Sequence, residues 1–520
     1  MTEADRLDLA PLTMSEGYFL LRRPGVGRVP FAAEAVGPAG PAAPAGPYRH
    51  VFTYEKSQST IKDAAIEVID AAREKVFLAS FLLGDIDLLD ALYRAADRLR
   101  GGVYVISALD EGSLRRGLAE TEPDDNPEAA DKRAHHKRFE DMTRRGIAVR
   151  GHEHCHAKFI VTDDRLALVS SANLETRAFD TTGENGAVVS DPGETDRLGR
   201  FFARLWSSCT FQMPPGEAHT VQKREPSPSP CQVPVPPADP GNSVIWTYED
   251  SEHVILATLH DVIKRAERDL LLATYGLTGL TEQPGLLLGP LAHAIEQRQL
   301  DVSILVRSRN NIPGHRRDAA ALAELGVRIY ADELNHAKGV IADEACGALF
   351  SANFDAKHGL DSGVEVGLRL DGTAALREAV RYFRHAIACS NQVFDPRPTQ
   401  KSLNQRFAAR WRKPWPLGPR LPVHAETACW QELLAQARPP VLWLQSEPGQ
   451  IDLLAGSSCF RLGAADERGI RTLSPGEDPG RTAAQTLDKW LTSRPPGKPA
   501  ASDLGPRGFC PAVIDRVPAR

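Results

Sequence analysis

The chain contains a long internal repeat, and a duplicated sequence admits few folds other than like lobes built side by side. RHVFTYEKSQSTIKDAAIEVIDAAREKVFLASFL, beginning at Arg49, and SVIWTYEDSEHVILATLHDVIKRAERDLLLATYGL, beginning at Ser243, each run from a TYE entry through an amphipathic helix into an apolar strand. The parallel continues through helix DLLDALYRAADRLR and strand GVYVISA, matched by helix GPLAHAIEQR and strand LDVSILV. Next come AHHKRFEDMTRRG with IAVRG, matched by DAAALAELG with VRIYA, and each copy closes on an apolar helix, RLGRFFARLW or LREAVRYFRHAI. Helices crossing over a largely buried sheet give this rhythm. The predicted fold class is therefore α/β, with two similar lobes over residues 46–212 and 243–397, each of ordinary domain size.

Proline marks the joints. GPAGPAAPAGP at 37–47 closes an N-terminal segment assigned to residues 1–45, and MPPGEAHTVQKREPSPSPCQVPVPPADPGN at 213–242 links the lobes; neither run can propagate helix or sheet. Residues 398–520 match neither lobe and are assigned to a C-terminal appendage, in which CWQELLAQA reads as a helix and PPVLWLQ as a strand. Beyond Ser446 the chain turns rich in Gly, Pro and short polar runs. The start MTEADRLDLAPLT has no basic leader, and no apolar run reaches the length of about 18 residues that a membrane span requires, so the expected location is cytoplasmic with no transmembrane segment. The 8 cysteines include no CxxC pair and read as free, mostly buried thiols. A formal charge of -6 with a pI near 6.2 gives the molecule as a whole no pull toward polyanions, so a phosphate-binding surface has to be local.

The two copies share chemistry as well as hydrophobic rhythm. The first carries His156, Lys158, Asp163, Ser171, Asn173 and Glu184; the second carries His336, Lys338, Asp343, Ser351, Asn353 and Glu365, with identical His-to-Lys, Lys-to-Asp and Asp-to-Asn spacings. In the first copy GHEHCHAKFIVTDD also sets His152, His154 and His156 on alternate positions with Cys155 between them. Alternate strand residues share a face, so a zinc site is one reading of HEHCH. The second copy has Asp332, Leu334 and Asn335 where the first has His152, His154 and Cys155, so the recurring residues take the chemical reading and the extra ones a structural role.

Those residue types suit the splitting of a phosphodiester. An imidazole is a competent nucleophile near neutral pH, and a second, protonated imidazole can donate to the leaving oxygen, which divides one hard displacement into two easier ones. Lys158, Lys338, Asn173 and Asn353 supply ammonium and amide groups for a phosphate cradle. No metal and no organic cofactor is called for.

HxKxxxxD followed by SxN, twice in one chain, resembles the phospholipase D superfamily, whose signature is the HKD motif; the match covers residues 46–397. The resemblance implies two α/β lobes packed face to face, with both motifs meeting at one cleft. It further implies catalysis through a phosphohistidine, with His156 as nucleophile and His336 as general acid. On the same ground Glu184 orients His336 and Glu365 orients His156 across the lobes, Asp163 and Asp343 are structural supports, and Ser171 and Ser351 steady the cradle. The family usually places Gly before the Ser; Ser170 and Phe350 stand there here.

The first motif, HAKFIVTDDRLALVSSANLETRAFD, looks most like the cardiolipin synthase branch in its run after Asn173. The expected activity is that of a metal-independent phosphodiesterase or phosphatidyltransferase on a phospholipid, with peripheral membrane contact. The alternative is a nuclease of the same superfamily. Arg133, His135, His136, Lys137, Arg138, Arg144 and Arg145 line one helix, and Arg406, Arg410, Arg412 and Lys413 interleave with Phe407, Trp411 and Trp415. Arginine beside aromatic rings suits nucleobases and lipid headgroups alike. A third reading, a non-catalytic phosphate-binding module, sits poorly with the retention of both histidines.

Overall fold

The computed structural model describes residues 17–21, 31, 46–54, 58–107, 137–214, 221–226, 242–309, 312–356 and 358–397, together with short strands between 442 and 511. After β1 (Tyr18–Leu21), the first lobe runs β2 (Tyr48–Thr53), β3 (Lys75–Ala79), β4 (Gly102–Ser107), β5 (Ala148–Gly151), β6 (Phe159–Thr162), β7 (Leu166–Ser170), β8 (Glu184–Val189), β9 (Phe211–Met213) and β10 (Gln222–Lys223). The second runs β11 (Val244–Tyr248), β12 (Glu252–His253), β13 (Asp269–Ala273), β14 (Leu277–Thr278), β15 (Asp301–Val306), β16 (Arg328–Ala331), β17 (Gly339–Ala342), β18 (Cys346–Phe350), β19 (Phe354–Asp355), β20 (Val364–Arg369) and β21 (Gln392–Asp395).

The first sheet has the order β10-β9-β5-β4-β3-β6-β7-β8-β2 and the second β1-β21-β16-β15-β13-β17-β18-β20-β11-β12. From β9 to β2 and from β21 to β11 the two orders are the same, strand for strand. In each lobe three strands run parallel through crossover helices, and the motif-bearing strands then return as an antiparallel meander.

The helices form because their apolar residues recur at helical spacing and their ends are capped. Helix Thr60–Asp70 buries Ile61, Ala64, Ala65, Val68 and Ile69 against the outer face of the first sheet. Helix Ile86–Arg98 starts where the Asp85 carboxylate accepts from the backbone N–H groups of Asp87 and Leu88. Helix Pro192–Ser208 begins with Asp191 accepting from Gly193 and Glu194, followed by Pro at the first position.

That last helix and its counterpart Ala374–Cys389 lie between the two sheets. Leu198, Phe201, Phe202 and Leu205 from one, and Ala379, Tyr382 and Phe383 from the other, share a single apolar core with both sheets. Phe201 stacks on Trp246 of the second lobe with centroids 4.9 Å apart, and the Tyr382 hydroxyl donates to the Thr53 carbonyl of the first at 3.2 Å. The lobes therefore meet face to face over a buried core and have no independent inner surfaces.

Two boundaries sit differently from the sequence reading, and the C-terminal appendage carries more than one strand. β1 belongs to the stretch assigned to a separate N-terminal segment, yet it pairs antiparallel with β21 and completes the second lobe's sheet, with Phe19 packed on Phe394 at 5.0 Å. Four residues are too few for a period to be read, and the partner strand is remote in sequence. β9 and β10 carry the first sheet past 212 into the proline-rich link. In the appendage, Leu442–Glu447, Gln450–Ala455, Ser458–Gly463 and Phe509–Pro511 form a four-stranded antiparallel sheet that includes chain beyond Ser446. CWQELLAQA and the run from Lys401 to Arg420 lie outside the described residues.

Candidate active site

The two motifs are brought together by a reciprocal backbone exchange between lobes. The His156 N–H donates to the Val364 carbonyl at 2.9 Å, and the Val364 N–H donates to the His154 carbonyl at 3.0 Å. The second copy does the same: the His336 N–H donates to the Gly183 carbonyl at 2.8 Å, and the Gly183 N–H to the Leu334 carbonyl at 2.8 Å. Each bridge sets the histidine of one lobe beside the residue that precedes the glutamate of the other.

The side chains follow. His156 Nδ1 lies 2.8 Å from Glu365 Oε1, and His336 Nδ1 lies 2.7 Å from Glu184 Oε1. Both carboxylates are buried, and the second oxygen of each is held by the serine of its own lobe: Ser171 Oγ donates to Glu184 at 2.6 Å, and Ser351 Oγ donates to Glu365. Each serine oxygen in turn accepts at 3.0 Å from the backbone N–H that follows the glutamate, at Asn185 or Val366. Thr182 Oγ1 adds a 2.8 Å bond to Glu184. A carboxylate so fixed favours the imidazole proton on Nδ1 and leaves the Nε2 lone pair free, while Lys338 Nζ also lies 3.0 Å from His336 Nδ1.

Lys158 and Lys338 are fully buried, and each donates to the backbone carbonyl of its own histidine, Lys338 at 2.8 Å. Their charges are close enough to act on both glutamates and, at Lys338, on each other. The Oδ1 atoms of Asn173 and Asn353 are buried with no hydrogen-bond partner among the described residues. Each of these carboxamide oxygens thus keeps an unused acceptor position.

Asp163 and Asp343 stand apart from this cluster. Asp163 accepts from the backbone N–H groups of Arg73, Glu74 and Lys75 at 2.5, 2.9 and 2.9 Å, and Asp343 from Glu267, Arg268 and Asp269 at 2.6, 2.8 and 2.9 Å. Each ties the turn after its motif strand to the start of the neighbouring strand, and both have positive φ, 53° and 51°. Asp tolerates that conformation better than most residues.

The additional residues of HEHCH have local partners. His152 Nε2 lies 3.2 Å from Glu249 Oε1, His152 Nδ1 accepts from the His154 N–H at 3.3 Å, and Cys155 is buried with its thiol pushed up to about 12 by burial. Among the described residues no group of three or more His, Cys, Asp or Glu is placed to hold a metal ion. In the basic helix Arg144 pairs with Asp141 and Glu140, at 3.0 and 3.5 Å, and Arg145 lies 4.3 Å over Tyr93, so these charges are locally engaged. Arg133, His135 and His136 lie outside the described residues.

Residues 65–206 match the family model described as cardiolipin synthase, PLD-like domain. The first lobe is phospholipase D-like. The second lobe, outside that match, repeats its topology and its His, Lys, Asp, Ser, Asn and Glu spacing. Among solved structures, a phosphatidylserine synthase from Haemophilus influenzae is 15% identical with a TM-score of 0.48, covering 67% of this chain and 87% of that one. A phospholipase D family member, Nuc from Salmonella typhimurium, is 17% identical with a TM-score of 0.25, covering 31% and 95%. A polyphosphate kinase from Porphyromonas gingivalis is 14% identical with a TM-score of 0.39, covering 64% and 49%. No curated protein matches the chain.

Ser170 and Phe350, the residues before Ser171 and Ser351, each face a glycine on the neighbouring strand. Ser170 pairs with Gly186 and Phe350 with Gly367. A Cβ on Gly186 would lie 2.6 Å from Ser170 Cβ and closer still to the Val169 carbonyl oxygen, and one on Gly367 would lie 2.6 Å from Phe350 Cβ and 2.8 Å from the Leu349 carbonyl oxygen, so only glycine fits at either position. Phe350 packs in the outer core with Ile245 and Ile255, on the face of β18 opposite Ser351. The signal was present in the sequence as E-x-G in both copies. An aromatic residue at the end of β3 and β13 was equally legible and passed over: Phe81 lies 5.4 Å from His156, and Tyr275 lies 4.9 Å from His336.

Burial dominates the electrostatics. It holds His156 below the usual imidazole value and His336 down to about 3, so both rings are neutral at rest despite their carboxylates. It also pulls Lys158 down to about 8 and Lys338 to about 7, against the pull of Glu365 and Glu184. A base with a lowered value loses its proton as pH rises through that value, and the cationic cradle with it. We therefore expect kcat/KM for any phosphodiester to fall as pH rises through about 7 to 8. The limb in kcat should lie higher, because bound phosphodiester anion favours the ammonium forms. A kcat/KM profile flat to pH 9.5 would contradict the assignment of these lysines.

Proposed function

We propose that this chain is a phosphodiesterase or phosphatidyltransferase that cleaves its substrate through a phosphohistidine, with a phospholipid as substrate. The observation that supports this most is the reciprocal histidine–glutamate pairing across the lobes, which gives one cleft two oriented imidazoles. His156 Nε2 attacks phosphorus, and the bond to the leaving alcohol breaks as its oxygen takes a proton from His336. Water or an acceptor alcohol then gives its proton to His336 while its oxygen attacks phosphorus, and the bond to His156 breaks. Lys158, Lys338, Asn173 and Asn353 carry the charge on the non-bridging oxygens. His336 is neutral at rest, so it takes a proton from solvent as the anionic substrate binds and favours the imidazolium form, passes that proton to the leaving oxygen, and recovers one from the incoming water or alcohol.

The substrate class rests on the match to a cardiolipin synthase type of domain and on two exposed apolar side chains, Phe81 beside His156 and Ile86 at the first position of helix Ile86–Arg98. Among the described residues no helix is long and apolar enough to cross a membrane, so contact with lipid is proposed to be peripheral, from the cytoplasmic side. Purified protein incubated in EDTA with labelled phospholipid vesicles, and separately with single- and double-stranded DNA and RNA, tests both parts. Turnover of vesicles that survives the chelator is the expected result. Turnover of nucleic acid alone would move the substrate to the nuclease reading, and loss in EDTA restored by zinc would replace the metal-independent mechanism.

A further inference from the structure

The two lobes repeat their catalytic residues but not the surroundings of their aromatic walls. In the first lobe Phe81 lies beside His156, and the Lys158 ammonium sits 6.0 Å from its ring centre. In the second lobe the Tyr275 ring meets four basic groups: His336 at 4.9 Å, Lys338 at 5.8 Å, Arg309 at 4.6 Å and Arg307 at 5.2 Å. The arginines come from the end of β15, where the aligned positions of the first lobe carry Ala108 and Asp110. Arg177, on the short helix Thr176–Asp180 that follows Asn173, brings a third guanidinium close to Arg307 from the opposite lobe.

Among the described residues this charge is met only in part, by the Asp332 carboxylate acting on Arg307. Neither Arg307, Arg309 nor Arg177 has an ion pair among the described residues. Burial and the charges of Arg177 and Arg309 push the Arg307 guanidinium below its ordinary value, with Tyr275 and Asp332 pulling the other way. Like charges held together around a half-buried ring are destabilising unless an anion joins them. The scissile phosphate already has Lys158 and Lys338. A guanidinium fork suits a second phosphate, which it can grip with two parallel bonds.

We propose that Arg307, Arg309 and Arg177 form a second anion subsite on the His336 side of the cleft, which binds the phosphate of an alcohol that is itself phosphorylated. This rests on the reading of His336 as the acid that serves the leaving group and then the acceptor. The alcohol that departs or arrives next to His336 lies beside these arginines, whereas the group that stays on phosphorus is handled on the Phe81 side. The cleft is polarised accordingly, apolar at Phe81 and cationic around Tyr275. Glycerol 3-phosphate has the required chemistry: a free hydroxyl to attack and a phosphate, one short linker away, for the arginines.

A competition experiment reads the subsite without depending on how much of a preparation is active. Phosphatidylcholine vesicles are offered equal concentrations of glycerol and glycerol 3-phosphate, and the two transfer products are quantified from one tube. Wild-type protein should favour the phosphorylated acceptor by about tenfold or more, and Arg309→Gln and Arg177→Gln, both at partly or fully exposed positions, should each cut that preference severalfold. In parallel, calorimetric titration with glycerol 3-phosphate should show binding that weakens in Arg309→Gln by a similar factor. Equal use of both acceptors by wild type, or a preference that neither substitution changes, overturns the subsite and leaves the catalytic reading standing. Absence of both transfer products and of the hydrolysis products phosphatidic acid and choline, with glycerol 3-phosphate still bound and its binding weakened in Arg309→Gln, supports the subsite and strikes the catalytic reading instead.

Discussion

His156→Asn should remove both turnover and covalent capture of the substrate, whereas His336→Asn should keep measurable cleavage of a p-nitrophenyl phosphodiester. The difference follows from what each imidazole supplies. Without a nucleophile no bond to phosphorus forms, whatever the leaving group. Without the acid, a poor alkoxide leaving group waits for a proton, but a nitrophenolate departs without one. On a natural alkyl diester both substitutions should therefore lower turnover by roughly several hundredfold or more, because nucleophile and acid act as one unit. On the nitrophenyl substrate only His156→Asn should do so. Nitrophenol release by His156→Asn with loss in His336→Asn would reverse the two roles.

Glu365→Gln and Glu184→Gln should reproduce that split across the lobes. Glu365 lies 2.8 Å from His156, and Glu184 lies 2.7 Å from His336, although each belongs to the other motif in sequence. Glutamine keeps the shape but not the charge, and its amide can turn a donor toward Nδ1 and so select the wrong tautomer. Loss of such an oriented carboxylate costs roughly a hundredfold to ten-thousandfold in turnover. Glu365→Gln should thus behave like a nucleophile variant and fail on the nitrophenyl diester as well. Glu184→Gln should behave like an acid variant and be largely rescued by that leaving group. If Glu184→Gln instead suppressed attack and Glu365→Gln were rescued, each glutamate would be serving its own lobe, against the observed pairing. Both carboxylates also accept from a buried serine, so folding of each variant is checked by its thermal transition.

How much of this was legible in the sequence depends on the kind of information each feature carries. The two lobes were readable because duplication writes the same helix and strand periods twice, and the recurring His, Lys, Asp, Ser, Asn and Glu were readable because their spacing recurs with them. The pairing of Glu365 with His156 was not readable from spacing at all; it arises from the backbone exchange between 154–156 and 364, a tertiary contact that only the resemblance suggested. β1 was missed because four apolar residues do not set a period and their partner strand closes the other lobe. Phe350 in the usual glycine place reads as an obstruction until the register puts Gly367 opposite it and the ring in the outer core. Arg307 and Arg309 were passed over for a different reason. Aligning two copies highlights what they share, and these arginines belong to what they do not.

The most direct test of the two-histidine account is to locate the covalent intermediate. His336→Asn is mixed with a radiolabelled nitrophenyl phosphodiester whose retained alkyl group carries the label, quenched within the first turnovers, and digested under conditions that preserve phosphohistidine. The account predicts label on the peptide that contains His156, near one equivalent per active chain, and none on the same peptide from His156→Asn. Label on the peptide that contains position 336 of the wild-type chain, or turnover of the wild type with no label on either histidine, would contradict it.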